Sequence, residues 1–159
     1  MNFIHNFDTE HGNLLLFGNT GIGKTFLSHC IAKEVMDSLH SVLYLTASEF
    51  FDALLEKALN RNDESCLLYE QIHLCDLLII DDLGTERNTD FVVSQLFVCL
   101  NDRILNRKST IISTNLTLEE IKTNYTERTF SRISNHYKIL RLAGDDIRIQ
   151  KKLMYREEH

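Results

Sequence analysis

The chain has no proline and only six glycines among its 159 residues. Without proline, the ends of helices must be marked by glycine, asparagine, aspartate or serine. No apolar run approaches the roughly 18 residues of a membrane-spanning helix, and the N-terminus lacks the pattern of a signal peptide. These absences argue against a membrane protein, and we expect a cytoplasmic protein without a membrane partner.

Cysteine is also sparse, because the four cysteines are scattered without a C-x-x-C pair or a matching histidine spacing. That distribution argues against a disulfide framework and against a structural zinc site. Reduced and mostly buried thiols are the expected state of these side chains. The remaining composition, with 43% apolar and 25% charged residues, is typical of one globular domain.

The net charge of −6 is unevenly distributed along the chain. Residues 1–100 carry a net charge of −10, whereas residues 101–159 carry +4. An acidic front and a basic rear argue against indiscriminate nucleic-acid binding over the whole surface. They are compatible with a local basic patch, or with basic residues that reach a neighbouring subunit.

Residues 18–25 read GNTGIGKT and fit the phosphate-binding pattern G-x-x-x-x-G-K-[ST]. The glycines allow a tight turn that directs consecutive backbone N–H groups at phosphates. Lys24 can reach the β- and γ-phosphates, and the hydroxyl of Thr25 is placed to bind Mg²⁺. The predicted nucleotide-binding residues are Gly18, Asn19, Thr20, Gly21, Ile22, Gly23, Lys24, Thr25 and Phe26.

The segments on either side of this loop support the same interpretation. The apolar run over residues 14–17 predicts a buried strand before the loop. Apolar residues at intervals of four over residues 26–36 predict a helix after it, whose N-terminus would lie under the phosphates. A glycine-rich turn that matches the pattern by chance is the alternative, and the flanking strand and helix count against it.

A second candidate element of the site is the run LLIIDD over residues 77–82. Four apolar residues indicate a strand buried on both faces, whose carboxyl end opens toward the ligand crevice of an α/β sheet. Asp81 is then placed to hold Mg²⁺ through water, and Asp82 can orient or polarise the attacking water. The alternative is a pair of solvated acids at a strand end.

Three further polar residues are candidate catalytic residues because of their positions in the predicted elements. Asn115 ends a predicted strand over residues 110–115, where its amide could contact the γ-phosphate and the attacking water; capping a helix is the alternative. Arg128 and Arg132 stand four residues apart and share one face of a helix. Such arginines are usually only solvated, but many NTPases need a guanidinium supplied in trans to stabilise the transition state.

The other patterns predict strands over residues 41–45 and 137–142, and helices over residues 49–59, 66–74, 90–106 and 118–122, with Ser48, Thr89 and Thr117 as N-caps. Alternating strands and helices indicate βαβ units and a mostly parallel sheet. Right-handed crossovers should bring Lys24, Asp81 and Asn115 to one rim of that sheet.

Four segments, in this order, resemble the AAA+ module of bacterial DnaC-type helicase loaders, a module shared by the IstB transposition helper proteins. They are the loop GNTGIGKTFLSHCIAKEV, the strand CDLLIIDDLGTE, the segment IISTNL, and YTERTFSRI followed by LAGDDIR. The resemblance covers about residues 13 to 148. It implies an α/β fold of the P-loop NTPase (AAA+) type, a three-layer sandwich with a mostly parallel five-stranded sheet in the order 5-1-4-3-2.

Position within these motifs also implies roles for individual residues. Lys24 and Thr25 match the Walker A pair, and Asp81 matches the magnesium-binding acid of Walker B. Asp82 matches the catalytic acid, which is glutamate in many AAA+ proteins, so its shorter side chain suggests slow water activation. Asn115 matches sensor 1.

The same resemblance implies that Arg132, in the sequence Ser-Arg-Ile, is the arginine finger that completes the site of a neighbouring subunit. Arg128 is a secondary candidate for that role. Arg148 lies in a G-x-D-x-R ending similar to that of the family and is a further secondary candidate for the site, to which the resemblance gives no defined role.

The function that the resemblance implies is ATP-dependent loading of the replicative DNA helicase onto single-stranded DNA. ATP and Mg²⁺ would be the cofactors, and slow hydrolysis would depend on self-association into a ring or spiral. Loaders of this type carry a further N-terminal segment that grips the helicase. We expect residues 1–12 to form a short strap and residues 13–159 the single AAA+ domain, with that segment absent.

Three alternatives remain open at the level of sequence. The first is an IstB-like transposase helper ATPase that acts on duplex DNA, and the second is a nucleotide-gated binding module with little turnover. A small-molecule or nucleotide kinase is the third; it would need an arginine-rich lid, whereas the basic residues here lie late in the chain.

Overall fold

The computed structural model describes residues 2–5, 7, 11–59, 63–144 and 146. Its strands are β1 (Asn13–Phe17), β2 (Val42–Thr46), β3 (Leu77–Leu83), β4 (Ser109–Thr114) and β5 (Tyr137–Arg141). They form one sheet in the order β2-β3-β4-β1-β5, and all four neighbouring pairs are parallel. This confirms the order 5-1-4-3-2, read from the opposite edge.

Helices lie on both faces of the sheet and complete the three-layer sandwich. They are α1 (Asn2–His5), α2 (Lys24–Asp37), α3 (Ala47–Ala58), α4 (Asp63–Leu74), α5 (Asp90–Leu105) and α6 (Leu118–His136). Alternate residues of the strands pack into two separate clusters, as Leu14 and Leu16 face α2 while Leu15 faces α3, α5 and α6. Because both faces are covered, the central strands are continuous apolar runs rather than alternating ones.

The starts of three helices are capped by threonine. Thr89 accepts a hydrogen bond from the N–H of Val92 at 3.2 Å, as predicted for α5. Thr117 caps α6, also as predicted. The predicted cap Ser48 is wrong: α3 begins two residues earlier, because Thr46 and Glu49 form a reciprocal capping box that satisfies both backbone N–H groups.

Helix α6 is much longer than the predicted segment over residues 118–122, but it is broken inside. Tyr125 (φ −118°, ψ 16°) and Thr126 (φ 72°, ψ 157°) leave the helical conformation. The chain therefore forms two helical segments in succession. Arg128 and Arg132 lie together on the second segment, in agreement with their predicted common helix.

The N-terminal residues within the described part pack on the α2 side of the sheet. Phe7 is buried there, with its ring centroid 4.9 Å from that of His40. All four cysteines are free; only Cys75 and Cys99 are buried, so the expectation of mostly buried thiols holds for half of them. Within the described ranges, no helix has the length and apolarity needed to cross a membrane.

Candidate nucleotide-binding and catalytic site

The loop between β1 and α2 requires glycine at particular positions. Gly21 and Gly23 have φ angles of 82° and 92°, in the left-handed region that side chains rarely adopt. Gly18 lies so close to the carbonyl oxygen of Leu142, just after β5, that a methyl group there would collide with it. The loop therefore packs closely against the chain segment that follows β5, and its compact shape requires glycine, which has no side chain, at these positions.

Lys24, the first residue of α2, joins this loop to β4. Its side chain is 5% exposed, and its ammonium donates to the backbone oxygens of Gly18 and Asn19, each at 2.7 Å. The same ammonium donates to Oδ1 of Asn115, also at 2.7 Å. Strand β4 ends at Thr114, so Asn115 lies one residue beyond the strand rather than within it. The fold thus brings two of the predicted catalytic residues into direct contact.

The two acids lie at an irregularity in β3. Pairing with β4 shifts between Ile80 and Leu83, and Asp82 has φ 56°, an uncommon angle for a residue other than glycine. The Ser113 hydroxyl accepts from the N–H of Asp82 at 3.0 Å and donates to Oδ1 of Asp81. Ser113 of β4 therefore bonds to both acids at the irregularity near the end of β3.

Asp81 is almost completely enclosed, with 4% of its surface exposed. Its Oδ2 accepts a hydrogen bond from the Tyr44 hydroxyl at 2.7 Å. Burial of Tyr44, together with this hydrogen bond, raises the pKa of the phenol well above its ordinary value, so the hydroxyl keeps its proton. Sequence reasoning missed both Tyr44 and Ser113, because each lies in a strand remote in sequence from Asp81.

The oxygen ligands in this site suit Mg²⁺ bound jointly by protein, nucleotide and water better than a metal ion coordinated by protein side chains alone. No group of three or more histidine, cysteine or acidic side chains that could hold a metal ion occurs among the residues described. Thr25 and Asp81 could supply one hydroxyl and one carboxylate. Mg²⁺ is commonly bound in this way, by one or two protein groups with nucleotide phosphates and water completing the octahedron.

The remaining loop positions differ in accessibility. Asn19, Thr20 and Phe26 are exposed, and the Phe26 side chain is 73% accessible. Ile22 and Thr25 are half-buried. The carboxylate of Asp146 lies directly against Gly21, where a methyl group on that glycine would collide with it. Arg148 lies outside the described residues.

The two candidate arginines are separated from the loop. Arg128 and Arg132 are exposed and line a shallow groove with Phe97, Glu127 and Ser131. Within the described part of the chain, no hydrogen bond or ion pair joins either guanidinium to the phosphate loop. Within the described residues, a single copy therefore joins Lys24 to Asn115 at the end of the sheet where the two acids lie, and no hydrogen bond or ion pair joins Arg128 or Arg132 to them.

A set of hydrogen bonds connects the segment after the acids to the break in α6. Glu86 accepts from the N–H of Gly84 at 2.9 Å and from the hydroxyl of Tyr125. The side-chain amide of Asn88 donates to the backbone oxygen of Asn124 at 2.8 Å. Burial of Tyr125, then its bond to Glu86, raises the pKa of that phenol. The helical segment that carries the arginines is thus attached to the loop that follows Asp82.

The sheet order, the phosphate loop before α2 and the acids at the end of β3 define a P-loop ATP-binding domain of the AAA+ class. A family model described as "IstB-like ATP binding protein" matches residues 3–154. The chain belongs to this family, as its resemblance to DnaC- and IstB-like proteins indicated.

Several of the similar proteins are bacterial replication proteins by name. The chromosomal replication initiator protein DnaA of Treponema pallidum is 29% identical over 127 residues, which are 79% of this chain and 27% of that protein. The chain therefore spans about a quarter of this relative's length. The crystal structure of the DnaC helicase loader superposes with a TM-score of 0.78 at 25% identity, covering 89% of this chain and 85% of that one.

A replication initiator DnaA bound to AMPPCP and single-stranded DNA superposes with the same TM-score of 0.78. Its identity to this chain is 20%, and the match covers 98% of this chain and 49% of the other. At that identity, the likeness supports the fold alone. Together, the family and these neighbours establish an ATP-binding AAA+ domain related to replication initiators.

Proposed function

We propose that this chain is a slow ATPase whose site is completed by a second copy, and that it serves to load a replicative DNA helicase onto single-stranded DNA. The observation that carries the proposal is the division of the site. Lys24 and Asn115 are in contact at 2.7 Å, at the same end of the sheet as Asp81 and Asp82, whereas Arg132 lies on a separate groove.

In this proposal, the phosphates of ATP bind to the backbone N–H groups of the loop and to the ammonium of Lys24. Thr25 and Asp81 would hold Mg²⁺, which neutralises phosphate charge when it is bound. Asp82 orients the attacking water, and the Asn115 amide contacts the γ-phosphate and that water. The Lys24 ammonium has three N–H groups and donates to three protein oxygens, so contact with a phosphate requires it to exchange at least one of these partners.

In this proposal, the second copy supplies a further positive charge beside the γ-phosphate, in addition to that of Lys24. Arg132 is exposed, and among the described residues no hydrogen bond or ion pair joins it to the phosphate loop of the same copy, as expected of a residue that serves a neighbouring copy. One face of each copy would then meet a different face of the next, and such heterologous contacts form rings or open spirals. The Glu86–Tyr125 hydrogen bond would couple movement of the loop after Asp82 to movement of the helical segment that carries the arginines.

Helicase loading is supported by the likeness to the DnaC helicase loader over most of both chains. A transposase helper is the second candidate, and the IstB-like family model favours it. The helix pair α3 and α4, between β2 and β3, resembles an insert that lines the path of single-stranded DNA in related AAA+ proteins, so we expect DNA to bind there. Lys57 is the only lysine or arginine on those helices. Direct binding assays with a purified replicative helicase and with a purified transposase would distinguish the two candidate functions.

The shared site can be tested by mixing two inactive variants. Asp82→Asn removes the catalytic acid but keeps Arg132, whereas Arg132→Ala keeps the acid but removes the arginine. Each variant alone should hydrolyse ATP at least about tenfold more slowly than wild type. In an equimolar mixture, about a quarter of the interfaces pair an intact acid with an intact arginine, so activity should reappear.

The controls separate the alternatives. Arg107→Ala changes an exposed arginine between α5 and β4, at the opposite end of β4 from Asn115, and should leave activity unchanged. Wild-type activity per subunit should rise with protein concentration and with single-stranded DNA. A mixture as inactive as its components would contradict a shared site. Tight ATP binding with no turnover in any sample would instead identify a nucleotide-gated binding module.

A further inference from the structure

We propose that Tyr44 is a positioning residue for Asp81, and that its hydroxyl sets the affinity of the site for Mg²⁺. The inference rests on the proposed metal role of Asp81 and deepens it. Neither the family nor the motifs point to Tyr44, which lies in β2, outside all of the segments that define the site.

The geometry begins with the register of two strands. Tyr44 pairs with Ile79, and Thr46 pairs with Asp81, so Tyr44 and Asp81 lie diagonally on the same face of the sheet. A diagonal neighbour is within reach of a long aromatic side chain but not of a short one. The Tyr44 hydroxyl covers this distance and donates to Oδ2 of Asp81 at 2.7 Å.

The opposite side of the carboxylate is held from β4. Ser113 donates to Oδ1, so each oxygen of Asp81 accepts from a hydroxyl of a different neighbouring strand. Because the two donors approach from β2 and β4, the plane of the carboxylate is fixed on both sides. Each carboxylate oxygen can accept about two hydrogen bonds, so capacity remains for a water molecule bound to a metal.

The ring of Tyr44 is itself held by α2. The imidazole of His29 stacks on it with centroids 4.3 Å apart and an angle of 13° between the planes. His29 lies one helical turn after Thr25, on the same face of α2. The helix that supplies the predicted metal-binding hydroxyl therefore also supports the ring that orients the predicted metal-binding acid.

Loss of the Tyr44 hydroxyl would leave an enclosed carboxylate with one donor instead of two. The carboxylate could then rotate, or draw a water molecule toward Oδ2 in place of the phenol. Partners that orient metal ligands typically change metal affinity by about 10–100-fold when they are removed. Since Asp81 acts through water and Ser113 remains, we expect the lower end of that range for Tyr44.

The test measures the binding of a fluorescent ATP analogue to the full chain, first in EDTA and then during titration with MgCl₂. Tyr44→Phe should leave the affinity in EDTA within about twofold of wild type, because the phosphate loop is untouched. The Mg²⁺ concentration that gives half of the metal-dependent change in nucleotide affinity should rise about tenfold. Ser113→Ala should act in the same direction, and Asp81→Asn should abolish the metal dependence.

Tyr69→Phe, which removes a hydroxyl from α4 outside the site, is the matched control and should behave as wild type. A merely structural role of Tyr44 would lower the thermal stability and weaken binding in EDTA as well as in MgCl₂, and that result would overturn the proposal. An unchanged Mg²⁺ requirement in Tyr44→Phe would overturn it too. If wild-type binding ignored Mg²⁺, the metal role of Asp81 would fail with it, whereas the test of a shared site would stand.

Discussion

Replacement of Arg103 by methionine is expected to remove a large part of the stability of this domain. Arg103 lies on α5 with none of its surface exposed. Its guanidinium donates to the backbone oxygens of Ile72 and Cys75, at the end of α4, at 2.7 and 3.1 Å. It also donates to the oxygen of Ser109, at the start of β4, at 2.6 Å. One side chain thus joins the end of α4, α5 and the start of β4.

The size of the effect follows from the groups left behind. Methionine keeps most of the apolar packing but donates no hydrogen bond, so three enclosed carbonyl oxygens lose a charged donor. Each unsatisfied buried group costs about 1–3 kcal/mol. The penalty for burying the guanidinium is recovered, because the charge is removed as well. We therefore expect a loss of about 3–5 kcal/mol, a substantial fraction of a typical domain stability of about 5–15 kcal/mol.

The assay is urea unfolding followed by far-ultraviolet circular dichroism, with the free energy taken from linear extrapolation. Arg103→Lys should lose about half as much, because a lysine keeps the charge but lacks the planar fork that reaches several carbonyls. Arg87→Met, at an exposed arginine, is the matched control and should change the free energy by less than about 0.5 kcal/mol. A loss below about 1 kcal/mol for Arg103→Met would refute the reasoning.

Three further predictions concern single side chains. The Asp146 carboxylate against Gly21 should repel phosphates, so Asp146→Asn should bind ATP about fivefold more tightly in a fluorescence titration; equal affinities would contradict this. Burial acts to raise the pKa of Asp76. Hydrogen bonds from Lys108 and from the hydroxyl and backbone N–H of Ser41 outweigh burial and hold that pKa below its ordinary value. The resulting stability is present above the unfolded pKa of about 3.9 and is lost as the pH falls through the lower folded value. Asp76→Asn should therefore lower the free energy of unfolding at pH 7, measured by urea unfolding, by no more than about 1 kcal/mol for this partly exposed pair, and the difference should shrink in acid. Thr126 has φ 72° and ψ 157°, a conformation almost restricted to glycine, so Thr126→Gly should raise the melting temperature by a few degrees, about 1 kcal/mol; a lower one would show that the conformation is not strained.

The sequence was sufficient for features that depend on neighbours in the chain. The loop over residues 18–25 is a local motif, and the apolar run before Asp81 is a local pattern, so both could be recognised without a structure. Five strands, their order through the resemblance, and the threonine caps of α5 and α6 followed in the same way. The Ser48 cap failed because two capping residues stood close together, and only the reciprocal bond between Thr46 and Glu49 favoured the earlier start.

Only the tertiary structure decided which side chains meet across the sheet. The hydroxyls of Tyr44 and Ser113 reach Asp81 because of the register of β2 and β4 against β3, which no single segment encodes. The left-handed Asp82 likewise follows from a bulge that exists only where two strands pair. Periodicity within a segment reports which face of an element is buried, but contacts between segments depend on register and helix placement. For this chain, the sequence by itself determined where the phosphate-binding motif lies, and the packing of the sheet determined how the two acids at the end of β3 are held.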